Sequence, residues 1–423
     1  MADFLLVCGL AAFCFVLFRV LHFASEETKP ELYHKNSEFV QRIINACSLL
    51  TQPYHPPFLW GKSGHLQTIL YAKLGRVQPP LPKGDRIALP MPDGATVTFD
   101  VYECLAEHPT KGDYTMLICP GIANSSESLY IRTMVDYAQN NGFRVSVLNH
   151  LGALKDVPLT APRIYTYGGT EEYEMMVHYV RETYPDSKLV GVGCSMGANI
   201  LTKYLGMDKK NQDFFICAMS LCQGYDVNSC VYQNQATDIY SQDMSSKYLY
   251  QRVWPYLLKW EHLRRFYIFM MTLNQIRVMK QHADVLFSEK ALKKYDLDLD
   301  KIYASTSLHY LDEVYSRRRA GFDNLEEYYK WSSSASYLPK IDIPMLILNA
   351  HDDVIVPDVV FDIPLNHAYT HDKSLFVVTK HGGHLGFFEG QEKNWIMPQS
   401  VTWLDKIVLD YSNAVINVTE YDH

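Results

Sequence analysis

The stretch GVGCSMGANI, residues 191–200, decides the fold class, because it places a serine between two glycines directly after an apolar run. The run Lys188–Cys194 is typical of a buried strand, and Ala198–Tyr204 has a helical pattern. A Gly-x-Ser-x-Gly sequence between a strand and a helix is typical of a nucleophile elbow, since its glycines let the serine adopt a strained turn. Such a turn would expose the Ser195 hydroxyl and aim the Met196 N–H at the same point. A purely structural serine is the alternative.

Outside this stretch, short β-rich runs alternate with helical patterns. Such alternation indicates an α/β domain with a mostly parallel sheet flanked by helices. The alternation is interrupted once, so we assign the core to residues 86–224 and 341–411 and an insertion to residues 225–340. The predicted strands are Val97–Tyr102, Thr115–Cys119, Arg144–Asn149, Lys188–Cys194, Phe215–Leu221, Met345–Asn349 and Leu375–Thr379, and the predicted helices include Ser128–Asn140, Thr170–Thr183 and Ala198–Tyr204.

The insertion is rich in helical patterns, aromatic residues and methionines, and we interpret it as a helical cap over the core. Aromatic and thioether side chains suit an apolar, adaptable pocket, so the cap is predicted to contact acyl chains. Plain helical packing is the alternative explanation. The candidate contact residues are Trp254, Trp260, Phe266, Tyr267, Phe269, Met270 and Met271.

A serine hydroxyl is a weak nucleophile at neutral pH, so Ser195 needs a base and the base needs an orienting acid. In this type of fold the acid and then the histidine follow the serine along the chain. The run MLILNAH ends in two aspartates, and we predict Asp353 as the acid because VIVP follows it, with Asp352 as the alternative. In the later stretch HGGHLG, His384 is the predicted base and His381 the second candidate.

Acyl transfer also needs hydrogen-bond donors for the oxyanion. The loop after the run Thr115–Cys119 begins with Pro120 and Gly121, and the glycine permits a tight turn. We therefore predict the Ile122 N–H as the second donor beside that of Met196. An ordinary glycine at a strand–loop junction is the alternative. This set of residues needs neither a metal ion nor a cofactor.

The N-terminal residues 4–23 form a long apolar stretch, in which 17 of 20 residues are apolar. A helix of this length rises about 30 Å, the thickness of a bilayer's hydrocarbon core, so we predict an uncleaved transmembrane anchor. A cleaved signal peptide, which would need a basic residue before the apolar stretch, and a buried or interfacial helix are the alternatives. Residues 24–85 are predicted to be a proline-rich N-terminal extension.

Charge and cysteine usage exclude several classes of function. The 423-residue chain has a formal net charge of −8 and no block of five or more basic residues, which argues against a nucleic-acid partner. Its nine cysteines are scattered and include no Cys-x-x-Cys pair. We therefore expect neither a zinc site nor a disulfide framework.

Further long motifs accompany the serine: WGKSGHLQT, ICPGIANSSES, VLNHLGAL, GCSMGANI, LCQGYD, EEYY, NAHDD and HGGHLGFFEG. Together they resemble the α/β-hydrolase-domain lipases, and within them a group of membrane-anchored monoacylglycerol lipases. The resemblance runs from the N-terminal stretch to about Tyr411. It implies a triad of Ser195, Asp353 and His384 that hydrolyses the ester of monoacylglycerols, with weaker action on other acylglycerols and short esters.

Two features depart from the pattern of those lipases. The nucleophile lies in the sequence Cys194-Ser195-Met196-Gly197-Ala198, where relatives often have an aromatic residue, a leucine and paired glycines. The cap is longer near Gln233–Lys247, which bears on the preferred acyl chain.

Two patterns disagree about membrane topology. Basic residues such as Lys29 and Lys35 follow the apolar stretch, which favours a cytosolic catalytic domain by the positive-inside rule. The resemblance implies instead a single-pass type II protein of the cell membrane or an endomembrane. In that orientation the sequons at Asn124 and Asn417 would be candidate glycosylation sites. We expect the type II orientation.

Two other classes of function fit parts of the sequence. A catalytically silent protein of this fold would bind a lipid or steroid, although all three triad residues are present. An acyltransferase is suggested by the H-x4-D spacing of His367 and Asp372. These two residues are predicted to lie in a loop away from the serine motif.

Overall fold

The computed structural model describes residues 27–74, 77, 81–230, 261–391 and 394–420, together with residues 7, 9, 10, 14 and 21. Most of the predicted anchor, residues 4–23, lies outside the described residues. Within the described part of the chain, no helix is both long enough and apolar enough to span a bilayer.

A nine-stranded, mostly parallel sheet forms the core. Its strands are β1 Glu31–Tyr33, β2 Asp85–Pro90, β3 Thr96–Tyr102, β4 Tyr114–Cys119, β5 Arg144–Asn149, β6 Lys188–Cys194, β7 Phe215–Leu221, β8 Met345–Ala350 and β9 Ser374–Thr379, and a separate hairpin contains β10 Gly390–Gln391 and β11 Asn394–Pro398. The order in the sheet is β1-β9-β8-β7-β6-β4-β5-β3-β2. Strands β4 to β9 are parallel, whereas β1, β2 and β3 pair antiparallel at the two edges. The carboxyl ends of six strands therefore meet at one edge of the sheet.

Helices cover both faces of the sheet and fill the insertion. They are α1 Glu38–Ala46, α2 Gly64–Tyr71, α3 Leu129–Asn140, α4 Glu171–Thr183, α5 Met196–Met207, α6 Glu261–Gln281, α7 Ala283–Leu286, α8 Glu289–Tyr295, α9 Leu299–Tyr303, α10 Leu308–Leu311, α11 Arg317–Ala320, α12 Leu325–Ser332, α13 Asp362–Thr370 and α14 Trp403–Glu420.

Apolar side chains pack against the sheet in two layers, one on each face. Neighbouring residues of β8 illustrate this division, because Ile347 belongs to the layer with α4 and α5 and Leu348 to the layer with α3 and α14. Side chains of successive strand residues point to opposite faces, so a strand covered on both faces is apolar throughout. Burying one such aliphatic side chain stabilises the fold by about 1.5–3 kcal/mol.

The seven predicted strands agree with the structure to within one residue at each end. The helix predicted at Ala198–Tyr204 is longer at both ends and spans Met196–Met207. Strands β1 and β2 were not predicted. Because β1 has only three residues, it is too short to show the two-residue period by which strands are recognised.

The N-terminal extension, residues 24–85, is part of the core structure and not merely a connector. Strand β1 extends the sheet by pairing with β9, with Leu32 opposite Val377. The Tyr54 hydroxyl donates a hydrogen bond to the Phe388 carbonyl at 2.6 Å. These contacts bring α2 against the loop that follows β9.

The insertion leaves the core after β7, returns before β8 and is tied to the helix that follows Ser195. The Asn199 amide on α5 donates hydrogen bonds to the Ser332 carbonyl at 2.8 Å and the Tyr167 carbonyl at 2.9 Å. The Lys203 ammonium donates to the Gly168 carbonyl at 2.8 Å, and burial lowers its pKa to about 8. The predicted cap residues Trp254, Trp260 and Gln233–Lys247 lie outside the described residues.

Candidate active site

The serine lies at a sharp turn between β6 and α5. Its backbone has φ 54° and ψ −116°, a conformation that L-residues rarely adopt. Its N–H donates to the Leu221 carbonyl at 2.8 Å, which fixes the turn to the neighbouring strand. A Cβ at Gly193 would lie 2.4 Å from Ala198 Cα, and one at Gly197 would lie 1.9 Å from Cys119 O. Both glycines are therefore required by close backbone packing.

Ser195, His384 and Asp353 form one continuous chain of hydrogen bonds. His384 Nε2 is 2.8 Å from Ser195 Oγ, and His384 Nδ1 is 2.8 Å from Asp353 Oδ2. The other carboxylate oxygen, Oδ1, accepts from the N–H groups of Ile355 at 2.8 Å and Val356 at 2.9 Å. Because the acid is fixed by its own loop, its second oxygen is held towards the imidazole ring.

The two alternative residues, Asp352 and His381, lie beside this chain and pair with each other. Asp352 Oδ2 is 3.5 Å from His381 Nδ1, and neither residue is bonded to Ser195 among the described contacts. Asp352 Oδ1 accepts from the Gly383 N–H at 2.8 Å. Burial raises the pKa of Asp352. This second pair therefore holds the backbone of the loop that carries His384.

Helix α2 of the N-terminal extension supports the same loop. The Thr68 hydroxyl accepts from the His384 N–H at 2.9 Å, and Gln67 Oε1 accepts from the Phe388 N–H at 2.9 Å. Gly383 has φ +57°, and a Cβ there would lie 2.4 Å from the Gly64 carbonyl oxygen. The sequence did not predict this role of α2. Its contacting residues belong to the motif WGKSGHLQT, which supported the family resemblance but did not indicate a contact with the loop of His384.

The two predicted oxyanion donors lie at the start of α5 and in the turn after β4. Met196 is the first residue of α5, where a helix leaves its N–H groups without intrahelical acceptors. Ile122 lies in a turn in which the Asn124 N–H donates to the Gly121 carbonyl at 3.1 Å. Both residues line the same cavity as Ser195.

Two further side chains hold the loop of Ile122, and neither was predicted to do so. The Asn124 side-chain amide donates to the Ile122 carbonyl at 2.9 Å and its oxygen accepts from the Ser128 hydroxyl at 2.9 Å. His150 Nε2 lies 2.8 Å from the Pro120 carbonyl, and burial lowers the pKa of His150 to about 4. A neutral imidazole donates this hydrogen bond through its Nε2–H. The motif VLNHLGAL contains His150 but did not reveal this contact.

A cavity of about 540 Å³ opens over Ser195, and its walls are largely apolar. Core residues such as Ile355 and Val356 form one wall, and cap residues such as Ile268 and Met271 form another. Of the five predicted contact residues that the structure describes, only Met271 lines this cavity. Phe266 and Met270 are exposed, and the Tyr267 hydroxyl instead contacts His65 Nδ1 at 3.0 Å. The cause is helical geometry, because the successive residues 266–271 point in different directions around α6.

Three side chains near the serine, Cys222, Asp353 and His384, are close enough together to approach one metal ion. Burial, together with the neighbouring Asp353, raises the pKa of the Cys222 thiol well above its ordinary value. A thiol binds metals as the thiolate, so this group is poorly suited as a ligand. The two ring nitrogens of His384 are, moreover, already hydrogen-bonded, one to Asp353 and the other to Ser195.

The structure also places four other residues that the sequence analysis named. Asn124 is half-buried in the loop described above, whereas Asn417 is exposed on α14. His367 lies on helix α13, not in a loop as predicted, and the centre of its ring is 3.9 Å from that of the His371 ring, with the two planes tilted by 35°. Asp372 instead forms an ion pair with Lys35 at 3.0 Å. His367 and Asp372 therefore do not form a paired site.

Known proteins resemble this chain over nearly its whole length. A family model described as the alpha/beta hydrolase fold matches residues 114–243. Monoacylglycerol lipase ABHD2 of Mus musculus is 42% identical, over 98% of this chain and 92% of its own. Abhydrolase domain-containing protein 2 of Drosophila melanogaster is 39% identical, over 96% of this chain and 95% of its own. Phospholipase ABHD3 of Homo sapiens is 25% identical, over 95% of this chain and 88% of its own.

Proposed function

This chain is a hydrolase of the α/β-hydrolase family to which abhydrolase domain-containing protein 2 belongs, and from that premise we propose that it hydrolyses the ester bond of monoacylglycerols. The observation that carries the proposal is the unbroken chain from Ser195 Oγ through His384 to Asp353, with both links at 2.8 Å. Triacylglycerols and short-chain esters are proposed as secondary substrates.

The first step forms an acyl-enzyme. Asp353 accepts the Nδ1–H of His384, which leaves Nε2 as the proton acceptor. His384 removes the Ser195 proton as Oγ attacks the ester carbonyl carbon. The protonated imidazole then gives this proton to the leaving glycerol oxygen, and the bond between the carbonyl carbon and that oxygen breaks.

The second step releases the fatty acid. A water molecule loses a proton to His384 and attacks the acyl carbonyl carbon. The bond to Ser195 Oγ breaks, the oxygen of the serine regains its proton from the imidazole, and the enzyme returns to its starting state. In both steps the Ile122 and Met196 N–H groups donate hydrogen bonds to the carbonyl oxygen as it becomes negative.

The character of the cavity supports a lipid substrate. Its largely apolar wall extends from the core to the cap, and apolar area removed from water on binding favours an acyl chain. The relatives named monoacylglycerol lipase support the choice of ester. The longer cap segment Gln233–Lys247 is proposed to affect which acyl chain is preferred.

Hydrolysis and covalent labelling test the proposal. Full-length protein in detergent micelles is assayed with monooleoylglycerol, triolein and a short-chain ester, and is labelled with a fluorophosphonate probe. Ser195→Ala should abolish labelling and lower kcat at least about 10⁵-fold. Ser288→Ala, an exposed cap serine without a side-chain capping bond, is the matched control. Folded protein that neither reacts with the probe nor hydrolyses the esters would identify a silent lipid-binding protein instead.

We also propose that residues 4–23 anchor the enzyme in a membrane as a type II protein. The apolar length of this stretch supports the anchor. Alkaline extraction of membranes from cells that express the full chain tests it, because an anchored protein stays with the lipid. Endoglycosidase treatment of the wild type and Asn417→Gln tests the orientation, since only a sequon outside the cytosol is glycosylated. Release into the soluble fraction would refute the anchor.

A further inference from the structure

A group of polar side chains lines part of the same cavity. Asp312, Tyr329, His309 and Tyr165 all line the cavity that contains Ser195. The Tyr329 hydroxyl donates to Asp312 Oδ2 at 3.2 Å and lies 3.3 Å from His309 Nδ1. We call these four residues the polar cluster; Tyr165 belongs to the core, and the other three belong to the cap. Neither step of the proposed mechanism uses these residues.

One of these groups lacks the hydrogen-bond partner that a buried polar group normally has. Tyr165 is 4% exposed, and its hydroxyl has no hydrogen-bond partner among the described residues. A buried hydroxyl without a partner is destabilising unless something binds it. Asp312 accepts hydrogen bonds from Tyr329 and Ser316 but has no lysine or arginine partner in the described chain, and burial raises its pKa to about 7. Because Tyr165 and Asp312 both lie on the cavity wall, a bound molecule can supply the hydrogen bond that Tyr165 lacks and donate a further one to Asp312.

The local backbone explains why Asp312 faces the cavity. The helical segment α10 continues through a π turn, Asp312–Ser316, into α11. An extra residue in a helical turn changes the direction of the side chains around it, and such turns are frequent at functional sites. The turn is placed where the chain passes over the cavity. Asp312 is its first residue.

The cluster borders the oxyanion side of the cavity. The Tyr165 ring lies 5.5 Å from the ring of His150, and His150 binds the carbonyl of Pro120, two residues before Ile122. Tyr165 therefore lies next to the loop that holds the Ile122 N–H, and the other members of the cluster line the same cavity. The alcohol part of an ester is the polar part of a lipid substrate that lies closest to that carbonyl.

We propose that Asp312, Tyr329 and Tyr165 form a subsite for the free hydroxyl groups of the alcohol part of the ester, namely the two hydroxyls of a monoacylglycerol. This inference rests on the proposed function, because it assigns the polar end of the same substrate. Asp312 accepts one substrate hydroxyl, and the two phenols supply donors and acceptors for the other. An ester whose alcohol part has no free hydroxyl leaves the Tyr165 hydroxyl unsatisfied and forms no hydrogen bond with Asp312, which disfavours its binding.

A pair of non-hydrolysable ligands tests the subsite directly. 1-O-hexadecylglycerol carries two hydroxyls, whereas hexadecyl methyl ether has the same chain and none. Each ether displaces a fluorescent alkyl probe from full-length protein in micelles. Wild type should bind the glycerol ether about tenfold more tightly than the methyl ether. Asp312→Leu, Tyr329→Phe and Tyr165→Phe should each remove most of that preference.

Control variants separate binding from folding. Asp323→Asn and Tyr369→Phe alter exposed residues of the same types and should keep the tenfold preference. Melting curves identify any variant that does not fold. If Asp312→Leu does not fold, the two tyrosine variants, which keep the aromatic ring, still test the subsite. A wild type without preference, or three folded variants that keep it, would overturn the subsite.

Hydrolysis provides the second readout. The three variants should lower kcat/KM for monooleoylglycerol about tenfold and leave that for methyl oleate within about twofold. An equal loss on both esters would mean that the cluster only supports the fold, and would overturn the subsite. If the wild type hydrolyses neither ester, the proposed function fails, and the ether displacement still decides the subsite.

Discussion

Two acid–histidine pairs lie side by side at the carboxyl edge of the sheet. In the first, Asp353 and His384 are 2.8 Å apart, and their side chains are 0% and 3% exposed. In the second, Asp352 and His381 are 3.5 Å apart and 13% and 7% exposed. Both acids come from the loop after β8 and both histidines from the loop after β9, yet only His384 reaches the serine.

The two pairs differ in the hydrogen bonds that the second carboxylate oxygen, Oδ1, accepts. Oδ1 of Asp353 accepts from two N–H groups of its own loop, and this orients the carboxylate towards the imidazole of His384. Oδ1 of Asp352 accepts from the N–H of Gly383, which belongs to the loop after β9. The first pair can therefore move a proton, and the second can set the position of the residue that does so. Residue type alone does not distinguish these two tasks.

The largest effect is expected for Asp353→Asn, which tests whether the first of the two pairs is the one that acts on the serine. Asp353→Asn replaces the acceptor of the Nδ1–H, so His384 is left in the wrong tautomer to receive the serine proton. We expect kcat to fall about 10⁴-fold while fluorophosphonate labelling becomes slow. Stopped-flow labelling and steady-state hydrolysis measure both. A loss no larger than that of Asp352→Asn would mean that the two pairs have been assigned the wrong way round.

The second pair is tested by two substitutions at one position. Asp352→Ala removes the acceptor of the Gly383 N–H, and we expect kcat to fall about tenfold, corresponding to one lost hydrogen bond. Asp352→Asn keeps an oxygen that accepts the Gly383 N–H and should remain within about threefold of the wild type, because this hydrogen bond needs an acceptor and not a charge. Steady-state kinetics on one ester compare the two variants. Equal losses would show that the charge matters after all.

A smaller effect is expected for Asn124, which holds the loop that carries the Ile122 N–H. Asn124→Ala removes the hydrogen bond to the Ile122 carbonyl, and we expect kcat to fall about fivefold with KM nearly unchanged. Protein made in a bacterial host, which adds no N-glycan, separates this role from glycosylation. The control Asn417→Gln should retain full activity there. An unchanged kcat in Asn124→Ala would remove Asn124 from the support of this loop.

The smallest effect concerns Asp312, whose carboxyl lies on the cavity wall outside both pairs. Its titratable neighbours are Tyr165, Tyr328, Tyr329 and His309. Its pKa is raised from 3.8 to about 7, so the folded state holds a proton that the unfolded state has lost between these values. Stability therefore falls as pH rises through this window. Asp312→Asn should melt at the same temperature as the wild type near pH 4 and about 2–4 °C higher at pH 8. Melting curves at the two pH values measure this, and a constant difference would contradict it.

The sequence predicted the core elements well, because a helix-covered parallel strand is continuously apolar and its ends are marked by turns. Ser195 was predicted from its glycines, and the acid and histidine from their order along the chain. The short strand β1 and the contact of α2 with the loop of His384 could not be predicted. Both depend on residues more than 300 positions apart, for which a single sequence contains no local pattern.

In the cap, by contrast, the sequence predicted the general character of the segment but not which side chains face the cavity. Its helical and apolar character was evident from composition, but of its predicted contact residues in the described chain only Met271 lines the cavity. The sequence analysis assigned no role to the polar groups that do line it, among them Asp312 and Tyr329, although Tyr329 is part of the motif EEYY. A composition-based prediction finds which residues are apolar, whereas the helix direction and a π turn determine which side chains face inward.

The sequence by itself determined the alternation of strands and helices, the elbow around Ser195 and a short set of candidate acids and histidines. These are local properties, fixed by side-chain periodicity and by the backbone freedom of glycine. Only the tertiary structure decided between Asp352 and Asp353 and between His381 and His384. Adjacent residues point in different directions, and the hydrogen bonds between separate loops select which one faces the serine.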